Sequence, residues 1–175
     1  LGFLNVVINE GLYDEVFIKK WTNAPFLVRM EGNGAKLLRE SDLKSGGNQD
    51  NFVIWDTIAD APGIWHSAQL EYGSPEVKPA FEGTYRVTLA DGAVTECMTA
   101  WTLLKRRVSD YSPERVAEIT WIPAEKIVEA ARFYAKSKPS AIHWGLPIDT
   151  IQSTTPTAQA ISYLWSLTGN LDVPG

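Results

Sequence analysis

Phe3, Leu4, Val7, Ile8 and Leu12 recur at the three- and four-residue spacing of one helix face, and Gly11 with Tyr13-Asp14 marks a break before a second short helix over 14–21. From Asn23 to about residue 100 the rhythm changes. Residues 26–28, 52–55 and 85–89 are short strand-like runs set between clusters of Gly, Pro, Asn and Asp. Asp91-Gly92, between Arg86-Val87-Thr88-Leu89 and Val94-Thr95, predicts a two-residue hairpin, because both central positions of a type I′ turn need positive φ. Residues 23–100 therefore read as an irregular β-rich insertion.

Helical spacing returns at 100–108, where Leu103, Leu104 and Val108 share a face. Ser112-Pro113-Glu114 supplies a cap, a proline at the first helical position and an acid where the helix dipole favours one. Pro123 opens a further helix in which Ala124, Ile127, Ala131 and Tyr134 line one side. The run Ala141-Ile142-His143-Trp144 is short, apolar and bounded by Gly145, the pattern of a buried parallel strand. Thr155 then caps a helix with Pro156 at its first position, its inner face made by Ala160, Ile161, Leu164 and Trp165 until Gly169 ends it. Helix, buried strand, loop and helix make one step of an α/β fold with a parallel sheet, interrupted by the insertion; 1–22 and 101–175 are its helical parts.

In such sheets ligands gather beyond the carboxyl ends of strands. The loop over 145–155 lies at that point and carries Gly145, Pro147, Asp149, Thr150, Gln152, Ser153, Thr154 and Thr155, small polar groups rather than an acid–base pair. A ligand contact and a plain solvated loop are both compatible with that composition. The other candidates are weaker. Two histidines, His66 and His143, are too few for a metal site, and His143 in an apolar strand reads as a hydrogen-bonded structural residue. Gly32-Asn33-Gly34 and Gly46-Gly47 lack the register of a nucleotide loop and read as turns. Trp55 and Trp65 read as core, Arg29 and Arg39 as solvated charges or the lip of a substrate funnel.

Composition narrows the partners. A net charge of −5, with Lys105, Arg106 and Arg107 as the one notable basic cluster, argues against nucleic acid. The single cysteine, Cys97, permits no internal disulfide and no cysteine zinc site. No apolar run approaches the roughly 20 residues of a membrane span. Leu1 rather than Met, and the lack of a signal pattern over 1–13, suggest that both ends are cut points in a longer chain.

Taken in order, Gly11-Leu12-Tyr13-Asp14-Glu15-Val16-Phe17, Lys20-Trp21-Thr22-Asn23-Ala24-Pro25-Phe26-Leu27-Val28-Arg29, and Tyr111-Ser112-Pro113-Glu114-Arg115-Val116-Ala117-Glu118-Ile119-Thr120 form a recognisable series. It closes with His143-Trp144-Gly145, Leu167-Thr168-Gly169-Asn170-Leu171 and Pro174-Gly175. The series resembles the molybdopterin oxidoreductases of the dimethyl-sulfoxide-reductase superfamily over the whole chain. Residues 22–29 and 144–149 look most like the branch of acetylene hydratase and pyrogallol transhydroxylase.

The resemblance implies a single internal fragment, 1–175, of a catalytic subunit, in the later half of a Rossmann-like domain. The parent would carry molybdenum or tungsten on a bis-molybdopterin guanine dinucleotide and a 4Fe-4S cluster outside this segment. The fragment itself holds neither the metal ligands nor the cluster cysteines, so no catalytic or metal residue is assigned to it and no cofactor is expected bound to it alone. The cofactor-binding residues implied are Gly145, Leu146, Pro147, Asp149, Thr150, Gly169 and Asn170. Formate dehydrogenases of the family have Gln at the position of Thr150 and Gly at that of Pro147, which shifts the implied contact from side-chain amide to backbone. The partners implied are the rest of the same subunit and an iron–sulfur electron-transfer subunit, with no direct membrane insertion. The rival reading is a non-catalytic module whose β-rich insertion docks an electron-transfer or membrane-anchor subunit. Residence in the cytoplasm or export in the folded state are both open.

Overall fold

The computed structural model describes residues 1–32 and 34–172, apart from the side chain of Pro147. In chain order its elements are α1 (Gly2–Asn9), α2 (Glu15–Trp21), β1 (Leu27–Glu31), β2 (Gly34–Leu37), α3 (Glu40–Leu43), β3 (Phe52–Asp56), β4 (Ala61–His66), β5 (Glu71–Tyr72), β6 (Thr84–Thr88), β7 (Val94–Thr99), α4 (Ala100–Ser109), α5 (Pro113–Thr120), α6 (Ala124–Lys136), α7 (Leu146–Thr150) and α8 (Thr154–Leu167). They divide into two compact units: Leu1–Thr22 with Lys105–Gly175, and Asn23–Leu104.

The first unit is helical. Leu4 and Val7 of α1 are fully buried, and α1 packs on α5, α6 and α8. Ile127 and Ala131 of α6 and Leu164 and Leu167 of α8 supply the apolar surface of this core. Each buried Leu, Ile or Val among them contributes about 1.5–3 kcal/mol when taken from water. Asn5 is buried among them and donates its amide to the Val108 carbonyl (2.9 Å), satisfying a helix-end acceptor. The caps follow the sequence. Ser112 Oγ accepts from the Arg115 N–H (3.2 Å), with Pro113 opening α5. Asp14 Oδ1 accepts from the Phe17 N–H (2.9 Å), and the Asp14 N–H donates to Leu167 O (2.7 Å), tying α2 to the end of α8.

α8 begins at Thr154, two residues before the expected start at Pro156, and ends in a Schellman motif. The Asn170 N–H donates to Trp165 O (2.9 Å) and the Gly169 N–H to Ser166 O (3.3 Å). Gly169 sits at φ +66, and a Cβ on it would stand 3.1 Å from Asp14 Oδ2. Both the left-handed conformation and the closeness of the carboxylate require glycine here.

The second unit holds two sheets, ordered β2-β1-β7-β6 and β3-β4-β5, with every strand pair antiparallel. Leu27, Leu38, Val53, Val87 and Cys97 are fully buried between them, with Trp55, Ile64 and Tyr85 packed around. Burial pushes the Cys97 thiol up to about 11. Bridges from Phe26 to Ile54 and from Arg39 to Phe52 join the sheets. Arg39 lies over the Phe52 ring at 3.7 Å and Arg29 pairs with Glu31, so both arginines are engaged within this unit. At one edge Glu40 accepts from Asn51 Nδ2 (2.7 Å) and pairs with Lys44 (2.7 Å).

The mixed α/β class holds, with helices beside sheets, but three expectations are corrected. The parallel sheet is replaced by antiparallel ones, and no parallel pair occurs among the described residues. Residues 141–144 form neither strand nor helix, and Ala141, His143 and Trp144 are exposed. A strand needs neighbours to take its hydrogen bonds, and all the strands lie in Asn23–Leu104. The turn after β6 is a three-residue loop rather than a type I′ pair. The Gly92 N–H donates to Leu89 O (2.9 Å), the Leu89 N–H to Ala93 O (2.8 Å), and Gly92 alone has positive φ, at +83. The turn over 32–34 includes Asn33, which lies outside the described residues.

Gly169→Ala is expected to destabilise the protein by about 1–3 kcal/mol, from the left-handed backbone and displacement of the Asp14 carboxylate, as read by urea unfolding. An unchanged midpoint would contradict the fit. Lys44, then Asn51, hold the Glu40 carboxyl below its ordinary range. Its contribution to stability is therefore full above a pH of about 4.3 and lost as pH falls through the lowered folded value. Glu40→Gln should flatten the acid limb of a stability–pH curve measured by circular dichroism; parallel limbs would show that Glu40 does not set it.

Candidate functional site

The cofactor-binding residues implied by the resemblance fall around α8, all in the helical unit. Gly145 precedes α7; Leu146, Asp149 and Thr150 are exposed on it, and α7 packs on α8. Pro147 is in α7, with its side chain outside the described residues. Gly169 and Asn170 form the turn at the far end of α8.

Two contacts join these regions. Asn170 Oδ1 accepts from the Ser140 N–H (3.1 Å), while Asn170 Nδ2 donates to Thr168 Oγ1 (2.8 Å). The Ser140 hydroxyl lies against the carbonyls of Tyr134 and Ser137. Four residues on, Trp144 stacks on Trp165 with ring centroids 5.5 Å apart and planes 9° from parallel. The segment over 140–144 thus runs back along α8 from its C-terminal turn and delivers Gly145 to the start of α7. Thr154 Oγ1, near the carbonyls of Ile148 (2.8 Å) and Ile151 (2.6 Å), fastens α7 to the first turn of α8.

The site residues differ in what is left for a ligand. The Asn170 amide and Gly169 are committed to the helix end. Thr150 Oγ1 donates to Leu146 O (3.1 Å), so its proton is used within α7. Asp149 is exposed and makes no hydrogen bond or ion pair among the described residues. Gly145 has an ordinary extended φ of −138, and a Cβ there would meet nothing within 4 Å. The unit itself does not need glycine at 145. Trp144, Leu146 and Ile151 add exposed apolar surface around it, Leu146 at 72%.

His143 is exposed rather than buried in a strand, and His66 belongs to the other unit, where its Nδ1 meets Asn51 Nδ2 (3.2 Å). No group of three or more metal-ligating side chains occurs among the described residues. Two roles escaped the sequence reading. Asp14, read only as marking the break before the second helix, positions the end of α8, and Trp165, read as inner-face apolar, carries Trp144. An Asp before a helix start was a readable sign of the first; nothing in the spacing of the tryptophans signals the second.

No protein-family model matches the chain. It is 30% identical, over its full length, to the dopamine dehydroxylase of Eggerthella lenta, of which it covers 25%. It is 31% identical over 97% of its length to the perchlorate reductase alpha subunit of Dechloromonas aromatica, covering 21%, and 31% identical over 97% to the dimethylsulfide dehydrogenase alpha subunit of Rhodovulum sulfidophilum, covering 18%. The chain spans about a quarter or less of the length of these curated relatives. The dehydroxylase alignment runs over 253 positions against the 175 residues here, so that relative carries extra residues inside the matched span. With relatives of this kind aligned from end to end and the ordered motifs seen in its sequence, the chain belongs to the molybdopterin oxidoreductase superfamily, as a stretch of its catalytic subunits.

Proposed function

We propose that this segment forms one wall of the cofactor pocket and substrate funnel of a molybdenum- or tungsten-dependent oxidoreductase, with residues 145–150 facing the pterin. The observation that carries the reading is Gly145: it is exposed, its backbone is unstrained, and the space a side chain would fill is open. A glycine that its own fold does not require fits a position where a flat, bulky group passes close to the backbone. Asp149, with its carboxylate unspent, and the apolar rim of Trp144 and Leu146 fit a heterocycle that is both stacked and hydrogen-bonded.

Bound between the two dinucleotides, the metal would supply two-electron redox or oxygen-atom transfer. The part of this chain is positional. The Trp144–Trp165 stack and the Ser140–Asn170 bond fix the approach of the loop, Thr154 fixes its departure, and the loop presents backbone and Asp149 to the pterin. Leu146 and Ile151 exclude water from that edge. The relatives named for reductive, dehydrogenating and dehydroxylating activities share this stretch, which suits a wall common to different chemistries. The guanine dinucleotide form, an iron–sulfur cluster upstream and an electron-transfer partner subunit belong to the same proposal, as does the assignment of residues 23–100 as substrate-tuning surface.

Gly145→Ser in the full-length subunit keeps a good residue at the start of α7 and places atoms where the pterin would pass. Molybdenum and pterin content should fall several-fold, by roughly 1 kcal/mol or more of lost cofactor binding, with the thermal midpoint of the apo-protein unchanged. Wild-type occupancy would sink the reading. Asp149→Ala should weaken retention of the cofactor during dialysis more modestly; identical retention would remove Asp149 from the site while leaving Gly145 in it.

A further inference from the structure

On the helical unit, Phe3, Val116, Thr120, Ile122, Ile127 and Ile161 are among the residues lining an apolar cleft of about 280 Å³ between α1, α5, α6 and α8. Trp121 lies in sequence between two of these lining residues, Thr120 and Ile122. Its indole is 92% exposed, and Ile119 and Ile122 beside it are 57% and 50% exposed. The residue also caps α5 in the left-handed conformation, at φ +60, where glycine is the favoured residue. The unit therefore carries a large aromatic at a backbone position that disfavours it, and gains no packing from its ring. An amphipathic α5 none of whose residues is fully buried belongs to the same face.

We propose that the cleft and the exposed Trp121 next to its lining residues in sequence are the seat of an apolar segment from the remainder of the same catalytic subunit, one presenting aliphatic or aromatic side chains that fill the cleft and cover the indole. The inference rests on the reading of the chain as part of a larger molybdopterin subunit. The curated relatives carry three-quarters or more of their length outside the matched span, which supplies the occupant. The lining is apolar apart from the hydroxyls of Thr120 and Thr157 and has no charged side chain, so the occupant is apolar rather than ionic. An exposed Trp next to such a cleft in sequence suits an interface anchor.

The test uses the full-length subunit. With benzoylphenylalanine in place of Trp121, ultraviolet irradiation and peptide mapping should give a cross-link within one polypeptide, from position 121 to a peptide outside residues 1–175. In the unsubstituted subunit, hydroxyl-radical footprinting should oxidise Trp121 roughly fivefold or more slowly than in the urea-unfolded subunit, as expected of an anchor shielded from water. A cross-link to a second copy or to a different subunit overturns the proposal, as does oxidation of Trp121 at the unfolded rate. Molybdenum and pterin content of the same sample judges the functional reading separately: a subunit without pterin fails that reading, while the cross-link and footprint still decide this one.

Discussion

Leu27 lies opposite Thr99 in the ladder between β1 and β7, so the strand that enters the β unit and the strand that leaves it are hydrogen-bonded neighbours. The Ala100 N–H donates to Phe26 O and the Trp101 N–H to Ala24 O, carrying the pairing into the first residues of α4. This closure lets residues 23–104 interrupt a helical unit made from two distant stretches of chain. An excursion that leaves and returns at adjacent positions adds little closure entropy to the remaining helices, and its own length can change at modest cost. The extra residues of the dehydroxylase within the matched span agree with such tolerance, wherever in the span they fall.

Local chemistry was the most readable part of the sequence. Asp14, Ser112 and Pro113 start helices because a side-chain oxygen or a missing N–H satisfies the first turn, a requirement contained in three or four residues. Strands 27–31, 52–56 and 84–88 were visible for a similar reason. The strand over 61–66 was hidden by Pro62 and Gly63, which in isolation signal a turn. Pro62 is tolerated because β5 pairs with β4 only at Trp65 and His66, leaving the Pro62 side of the strand without a ladder partner in that sheet.

The misread segment over 141–144 shows the limit of periodicity. Four apolar residues before a glycine suit a buried strand or an extended linker equally, and only the presence of a partner decides. Here the partner is an aromatic ring on α8 rather than another backbone. The candidate residues differ in what the fold itself asks of them. Gly169 and Gly145 are alike in sequence; the left-handed backbone and the Asp14 carboxylate account for the first, and nothing within the unit accounts for the second. Asn170, a polar residue in a promising place, spends its amide on Ser140 and Thr168.

The core of the β unit has a chemical consequence beyond packing. Cys97 is the sole sulfur nucleophile of these 175 residues, and it is walled in between two sheets with its proton held far above neutral pH. The thiolate, not the thiol, attacks disulfides and electrophiles, so Cys97 is silent toward thiol-directed reagents while the β unit is folded. Reaction at Cys97 would report that the two sheets had come apart, which makes the residue a built-in gauge of the integrity of the β unit.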